Sequence, residues 1–188
     1  MSTATILEKK RANFTYEDYL IWDIGPDKRY ELIGGEILMV PSPDMFHQTV
    51  SIEIEFRIKQ LLEKTGLGRV FDAPCDVVLS SENIVQPDII FIARENLSII
   101  TKENIKGSPD LLIEIISKKS AQRDRIIKKR LYEKRGVKEY WLVDPDRKEI
   151  EVLTLKEGVY EIYGLFKGSD MLTSSVLEGF CLKVGEVF

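Results

Sequence analysis

The sequence contains an apolar run of strand length that reads Leu111-Leu112-Ile113-Glu114-Ile115-Ile116. A second run, Ile84-Val85-Gln86-Pro87-Asp88-Ile89-Ile90-Phe91-Ile92-Ala93, has the same character. Strands that are apolar at almost every position are typical of the centre of a sheet that is covered on both faces. We therefore predict two central strands, over 84–93 and 111–116, in a domain of the α/β (α+β) class.

Each of these two runs contains one carboxylate, Asp88 in the first and Glu114 in the second. Burial of an unpaired carboxylate costs several kcal/mol, or raises its pKa until the group is neutral. A cation is therefore expected nearby, either a divalent metal ion or a lysine from the helix that follows. Two alternatives stay open: Asp88 faces solvent at the start of its strand, or Glu114 forms a structural ion pair with a basic residue.

The rest of the chain predicts one domain over 15–188, preceded by a polar lead-in over 1–14. The predicted elements are a short helix from about 16 to 23, an N-terminal β-hairpin over 30–40 around Gly34-Gly35, an amphipathic helix over 46–64, one or two strands over 70–79, a helix over about 119–135, a strand over 139–144, and a C-terminal β extension with a hairpin over 149–163. Because neither repeats nor a linker interrupt this order, we expect a single core.

The composition is that of an ordinary globular protein, with 44% hydrophobic and 31% charged residues in 188. The apolar stretches are far shorter than the ~20 residues of a membrane span, and residues 1–10 lack the apolar core of a signal peptide. Cys75 and Cys181 are far apart and show no zinc-ligand spacing. We predict a cytoplasmic protein with two free thiols and no membrane segment.

Positive charge is concentrated in one segment of an otherwise acidic chain. Residues 118–138 contain ten lysines or arginines and two acids, a net charge of +8, whereas the whole chain carries −4. Such a chain can present a cationic surface to phosphate groups while it remains acidic overall. Lys118, Lys119 and Arg123 begin this segment directly after the Glu114 run, so they are predicted to bind the substrate backbone. The alternative is a solvated helix face.

The helix predicted over 119–135 places Asp124, Lys128 and Tyr132 four residues apart, on one face. The same broad face is predicted to carry Ala121, Ile127 and Leu131. A lysine on the packed face of a helix is unusual, and it can reach a carboxylate on the sheet. Alternatively, Asp124 and Lys128 form an exposed pair that contributes only about 0.3–0.5 kcal/mol.

Asp88, Glu114 and Lys128 together have the chemistry of a magnesium site with an ammonium group beside it. Mg²⁺ prefers oxygen ligands, retains several waters, and is often bound by one or two carboxylates plus substrate phosphate. Mg²⁺ or Mn²⁺ held there would acidify a water molecule and offset the charge that develops on phosphorus. Lys128 is predicted to orient that water or to stabilise the transition state.

Several motifs occur in an order that resembles a known family. They are Tyr30-Glu31-Leu32-Ile33-Gly34-Gly35-Glu36, His47, Pro87-Asp88, the Glu114 run, the series Asp124, Lys128 and Tyr132, and the run from Gly136 to Pro145. Together they resemble the Uma2 family of endonucleases, which is abundant in cyanobacteria and belongs to the restriction-endonuclease-like PD-(D/E)XK superfamily. The resemblance implies a central mixed β-sheet flanked by helices, with Asp88 and Glu114 as metal ligands.

The resemblance also directs attention to three further residues and to one departure. Glu31 is either a third carboxylate near the metal or a solvent-facing hairpin residue. His47, the single histidine, either contacts phosphate or orients water, or else makes a hydrogen bond at the start of its helix. Gln86 lies on the same predicted strand face as Asp88 and is expected to position water or substrate, or simply to make a hydrogen bond. The superfamily lysine usually lies two residues after the second acid, where this chain has Ile116, and Lys128 is predicted to replace it.

The leading functional hypothesis is a Mg²⁺-dependent endonuclease that cleaves DNA, and a homodimer is expected by analogy alone. A second hypothesis, motivated by Ile116, is a nucleic-acid-binding module that kept the fold and lost the chemistry. A third is a protein-interaction component, such as one partner of a toxin–antitoxin or transposon-derived system.

Overall fold

The computed structural model describes residues 13–21 and 29–188, so most of the predicted lead-in and the end of the first helix lie outside the described residues. The helical elements are α1 (Tyr16–Leu20), α2 (Met45–Thr65), a π-helical turn (Arg123–Lys128, the π segment), α3 (Lys129–Arg135), and two 3₁₀ turns (Arg94–Ile99 and Val184–Glu186). The strands are β1 (Arg29–Ile33), β2 (Glu36–Val40), β3 (Gly68–Asp72), β4 (Val77–Ser80), β5 (Asn83–Val85), β6 (Ile89–Ala93), β7 (Ile105–Lys106), β8 (Leu111–Ile115), β9 (Glu139–Asp144), β10 (Glu149–Lys156), β11 (Val159–Lys167), β12 (Met171–Thr173) and β13 (Cys181–Lys183).

The larger sheet has the strand order β11-β10-β9-β8-β6-β3. Its central pair, β8 and β9, is parallel, and the strands on either side add antiparallel neighbours. The parallel pair is joined by the helical segment 121–135, because parallel neighbours need a crossover connection. The sheet is therefore mixed, as the sequence predicted.

Both faces of this sheet are covered, which explains the almost continuous apolar strands. Ile89 and Phe91 of β6 belong to a core cluster that includes the buried stripe of α2, whereas Ile90 and Ile92 belong to a second cluster on the opposite face with Tyr132 of α3. Successive side chains of a strand point to opposite faces. The prediction of a central sheet flanked by helices is confirmed.

A second, smaller sheet has the strand order β2-β1-β5-β4-β7. It contains the predicted N-terminal hairpin, formed by β1 and β2. Gly34 and Gly35 have φ values of 60° and 78°, the left-handed conformation that a two-residue hairpin turn requires. Glu31 is on β1 with none of its surface exposed. The alternative that Glu31 faces solvent is therefore wrong.

The predicted single strand over 84–93 is wrong, because the structure divides it between the two sheets. Residues 83–85 form β5 of the smaller sheet and residues 89–93 form β6 of the larger one. Pro87 lies between them, and proline lacks the N–H that a ladder needs and restricts the residue before it. Consequently Gln86 and Asp88 do not share a strand face but lie in the connection between the sheets.

The predicted basic helix begins at residue 121 rather than 119 and is not α-helical throughout. The π segment follows residues 121–122, and a π turn rotates each residue by less than an α-helix does because its hydrogen bonds span five residues. Asp124 and Lys128 are buried, but Ile127 is 45% exposed. The prediction that Ile127 shares their face is wrong for that reason, and the alternative of an exposed Asp124–Lys128 pair is wrong as well.

Cys75 and Cys181 are both free, in agreement with the prediction of two thiols. Among the described residues, no helix combines the length and the hydropathy that a bilayer crossing requires. The single domain, the cytoplasmic location and the homodimer stay predictions.

Candidate active site

A cleft of about 420 Å³ opens where the connection between the two sheets meets β8, the start of α2 and the π segment. Most of the side chains that the sequence predicted to be functional line this cleft: His47, Gln86, Asp88, Glu114, Lys118, Lys119, Arg123 and Lys128. Glu31 is not part of the cleft lining, but it contacts the lining residue Lys128. The fold thus brings residues from four distant parts of the sequence to one place.

Asp88 is held at the end of the connection, one residue before β6. Its Oδ2 accepts a hydrogen bond of 2.7 Å from the backbone N–H of Ile115, and it lies 3.3 Å from His47 Nε2. Ile89 of β6 pairs with Ile113 of β8, so Asp88 and Glu114 occupy the next positions along two neighbouring strands. The side chain of Asp88 is 18% exposed and is therefore accessible from the cleft.

Glu114 is bound from the helical side of the sheet. Its Oε1 accepts hydrogen bonds from Lys128 Nζ at 2.8 Å and from the Tyr132 hydroxyl at 2.7 Å. Lys128 Nζ also lies 2.7 Å from Glu31 Oε1, and Asp124 Oδ1 is 3.8 Å away. Among the described residues Lys128 forms no ion pair with Asp88, so the lysine does not join both predicted metal ligands.

Lys128 is a permanent cation in this environment. Burial acts to lower its pKa, but the carboxylates of Glu114, Glu31 and Asp124 have the opposite and larger effect, so the pKa of Lys128 is raised. An ammonium group with a raised pKa remains charged at neutral pH and is a poor proton donor or acceptor. Lys128 can therefore act only as a fixed positive charge and as a hydrogen-bond donor.

The acidic side chains around Lys128 outnumber the basic side chains that pair with them. Burial raises the pKa of Glu114 well above its usual range, and the charges of Asp124, Asp88 and Glu31 add to this effect, although Lys128 opposes it. Burial likewise raises the pKa of Asp124. A further cation would relieve this excess of negative charge, which is the electrostatic condition that a metal site provides.

His47 is placed by the start of α2. Asp44 caps this helix and accepts a hydrogen bond of 2.8 Å from the His47 backbone N–H, so a helix-start bond exists alongside the side-chain contact with Asp88. Burial acts to lower the pKa of His47, but the hydrogen bond and charge of Asp88 outweigh it, and the pKa is raised. Without a metal ion, the imidazole therefore has an increased tendency to be protonated.

Gln86 is fixed in a polar network behind Asp88. Its backbone N–H donates to Glu31 Oε1 at 2.9 Å, and its side-chain Nε2 donates to Asp76 Oδ1 at 2.7 Å. Tyr19 also donates to Asp76, at 3.2 Å. Within residues 13–21 and 29–188 the side-chain oxygen of Gln86 is buried and has no hydrogen-bond partner, although the residue itself belongs to the lining of the cleft.

The three basic residues predicted to bind substrate differ in their surroundings. Lys118 and Lys119 are exposed at the rim of the cleft. Arg123 is only 16% exposed, and its Nε lies 3.8 Å from Glu31 Oε2 and 3.9 Å from Asp124 Oδ1. The rim lysines are therefore available to a polyanion, whereas Arg123 is part of the buried charge cluster.

Much of the remaining positive charge of 118–138 has a structural partner. Arg125 binds Asp144 at 2.9 Å and Glu151 at 3.2 Å, and Lys138 binds the buried Asp110 at 2.7 Å. The net charge of +8 therefore overstates the cationic surface that this segment presents.

The donor set fits a divalent cation that is held by few protein ligands. No hydrogen bond within the described residues uses Asp88 Oδ1 or Glu114 Oε2, and both side chains line the cleft. No group of three or more histidine, cysteine, aspartate or glutamate side chains in the same residues has the geometry of a preformed metal site. Two carboxylates supplemented by water are a common arrangement for Mg²⁺.

Two residues of this site were not assigned a functional role from the sequence. Tyr132, predicted on one helix face with Asp124 and Lys128, is buried there, and its hydroxyl donates to Glu114; its spacing of four residues from Lys128 is the signal in the sequence. Asp76 orients Gln86 by accepting its side-chain hydrogen bond. No local sequence pattern identifies Asp76, because it precedes β4 whereas Gln86 follows β5.

A solved structure shares this fold. It is the crystal structure of a putative nuclease belonging to DUF820 from Anabaena variabilis, which is 21% identical, with a TM-score of 0.76 over 93% of this chain and 97% of that chain. The fold is thus that of the restriction-endonuclease-like class of α+β proteins. No curated protein has a sequence that matches this chain.

The family follows from the sequence itself. Residues 16–185 match the model of Uma2, described as "Putative restriction endonuclease". The chain therefore belongs to the Uma2 family, and the resemblance stated from its motifs is confirmed.

Proposed function

We propose that this protein is an endonuclease that hydrolyses phosphodiester bonds of DNA with Mg²⁺ or Mn²⁺ held by Asp88 and Glu114. The observation that carries the proposal is the presence of both carboxylates in one cleft, each with an oxygen that no described residue binds. Membership of a family described as restriction endonucleases supports the same reaction class.

Each side chain of the site has a separate role in the proposed hydrolysis. Asp88 and Glu114 hold the ion, which when bound supplies Lewis acidity toward phosphate and water. Lys128, fixed 2.8 Å from Glu114, keeps a positive charge beside the reacting phosphate and offsets the negative charge that develops there. Gln86 fixes the connection that carries Asp88, through its hydrogen bonds to Glu31 and Asp76.

The rim of the cleft contacts the phosphate backbone of the nucleic acid through exposed lysines. Lys118 is 89% exposed, and its only ion pair among the described residues is a long contact of 3.9 Å with Asp146. An exposed lysine with so weak a partner exchanges it readily for a phosphate group. Lys119 is the next residue in the chain and is also exposed.

The proposal is tested by cleavage of supercoiled plasmid with Mg²⁺ or Mn²⁺, and with EDTA as the metal-free reference. Asp88→Asn and Glu114→Gln should each lower the rate by at least about 100-fold, because each removes a charged ligand and keeps the shape of the side chain. Asp146→Asn is the matched control, since Asp146 also lines the cleft but is 71% exposed. Cleavage that persists unchanged in both site variants would refute the assignment.

A nucleic-acid-binding protein without catalysis is the second candidate. It is favoured by Ile116 and by the occupation of Glu114 Oε1 by two protein donors. Such a protein would bind DNA in a salt-dependent manner but show no metal binding that depends on Asp88. Calorimetric titration of wild type and Asp88→Asn with Mn²⁺ separates the two candidates without reference to activity.

A further inference from the structure

One wall of the cleft is apolar, whereas the segment after β8 carries the exposed lysines of the rim. This wall comes from the connection between β2 and α2, and its apolar lining residues are Val40, Pro41, Pro43 and Phe46. Residues 40–46 contain no lysine or arginine, and their single acid, Asp44, caps α2. The cleft therefore offers separate surfaces to an apolar group and to phosphate groups.

Phe46 contributes an aromatic ring to this wall. The residue is 43% exposed, and among the described residues it belongs to none of the apolar core clusters and pairs with no other aromatic ring. It is the second residue of α2, whose first turn is fixed by the capping carboxylate of Asp44. The ring is therefore held in a defined place with much of its surface open to a ligand.

The ring lies close to the proposed site of cleavage. Phe46 directly precedes His47, whose Nε2 is 3.3 Å from Asp88 Oδ2, and consecutive Cα atoms are about 3.8 Å apart. All three side chains line the same cleft. A base next to a phosphate group that is bound at Asp88 is therefore within reach of the Phe46 ring.

Only an unpaired base can present its face to this ring. In a duplex the base faces are stacked on one another, and the grooves expose base edges alone. Proteins that bind single strands combine positive charge along the backbone with aromatic side chains on which bases stack, which is the combination found here. The cleft volume of about 420 Å³ is at the lower end of the range for pockets that enclose a small molecule, so it suits a nucleotide rather than a duplex.

We infer that Phe46 stacks on an unpaired base and thereby directs the enzyme to DNA that contains unpaired nucleotides, such as single strands, flaps and bubbles. This inference rests on the proposed function and names its substrate class. Lys118 and Lys119 contact phosphate groups, which paired and unpaired DNA both carry. Phe46 is therefore the residue that discriminates between the two forms.

Fluorescence anisotropy in EDTA tests the inference with a labelled single strand and with the duplex of the same sequence. Phe46→Ala should weaken single-strand binding at least about 5-fold and duplex binding less than about 2-fold, because only the single strand loses a base–aromatic contact. Phe46→Tyr keeps the ring and should bind both forms as wild type does. Phe56→Ala is the matched control, since Phe56 is 50% exposed on the same helix but does not line the cleft.

Cleavage with Mn²⁺ provides a second readout. Wild type and Phe56→Ala should cut a duplex with a central run of unpaired thymidines at least about 5-fold faster than the fully paired duplex, and Phe46→Ala should lose that preference.

Three results would overturn the inference and leave the proposed nuclease function intact. They are equal weakening of both DNA forms by Phe46→Ala, no weakening of either form, and dissociation of a protein dimer by Phe46→Ala in sedimentation without a change in DNA preference. The last of these would assign the ring to contact with a second copy of the chain. If wild type binds neither DNA form at low salt, the proposed function fails together with the inference.

Discussion

Lys128 Nζ lies 2.7 Å from Glu31 Oε1, and this contact joins the N-terminal hairpin to the helix that crosses between the two parallel strands. Neither side chain is more than 2% exposed. Glu114 shares the same ammonium group at 2.8 Å. One buried cation is therefore shared by carboxylates from two different sheets, and the site is assembled only when both sheets are in place.

Removal of Lys128 should strongly destabilise the protein. In Lys128→Met, Glu31 and Glu114 remain buried without their cation, and breaking a buried pair in this way costs about 3–5 kcal/mol. The free energy of unfolding in guanidinium chloride measures the loss. Lys128→Met combined with Glu31→Gln should recover part of it, since the double variant removes one of the stranded charges. A loss below about 1 kcal/mol in the single variant would contradict this account of the cluster.

Tyr132 and Tyr140 offer a matched comparison of two buried hydroxyl groups. The Tyr132 hydroxyl donates to the carboxylate of Glu114 at 2.7 Å, whereas that of Tyr140 donates to the backbone carbonyl of Asp124 at 3.2 Å. Hydrogen bonds to charged groups contribute about 1.5–3 kcal/mol and neutral ones about 0.5–1.5 kcal/mol. At a pH above the raised pKa of Glu114, Tyr132→Phe should therefore lower the free energy of unfolding more than Tyr140→Phe, and equal losses there would argue against a charged Glu114.

The sequence was sufficient to locate the two carboxylates and the main sheet, because their signal is local. An acid in an apolar run conflicts with its surroundings, and this signal marked both residues within ten residues of sequence, although only Glu114 lies inside a strand, whereas Asp88 directly precedes β6. The same applies to Lys128, whose spacing from Tyr132 placed both on the packed side of a helix. These features depend on periodicity and on the cost of burial, which one sequence reveals.

The partners of these residues were not predictable in the same way. The ion pair between Lys128 and Glu31 spans separate sheets, and the contact of His47 with Asp88 depends on how α2 approaches the connection after β5. The division of 84–93 into two strands depends on tertiary structure, because its two halves pair with strands of different sheets. Arg123 resembled the rim lysines in sequence but is turned inward by the π segment.

The contact of His47 with Asp88 should make stability depend on pH in the metal-free protein. The folded-state pKa of His47 is raised above its usual value near 6.5, so its contribution is fully present below about pH 6.5 and is lost as the pH rises through the raised value. In EDTA, wild type should exceed His47→Gln in unfolding free energy by more at about pH 6 than at about pH 9. A difference that grows toward high pH would show that protonated His47 does not stabilise the fold.

The rim lysines should determine how DNA binding responds to salt. Each phosphate contact contributes about 0.9 to the slope of log affinity against log salt concentration, because one condensed counterion is released. Lys118→Ala and Lys119→Ala should each reduce that slope by about 1 in fluorescence anisotropy with duplex DNA in EDTA. Lys134→Ala is the control, since Lys134 is exposed on α3 but does not line the cleft. If Lys134→Ala changes the slope as much as the rim variants, DNA binds along the helix rather than across the cleft.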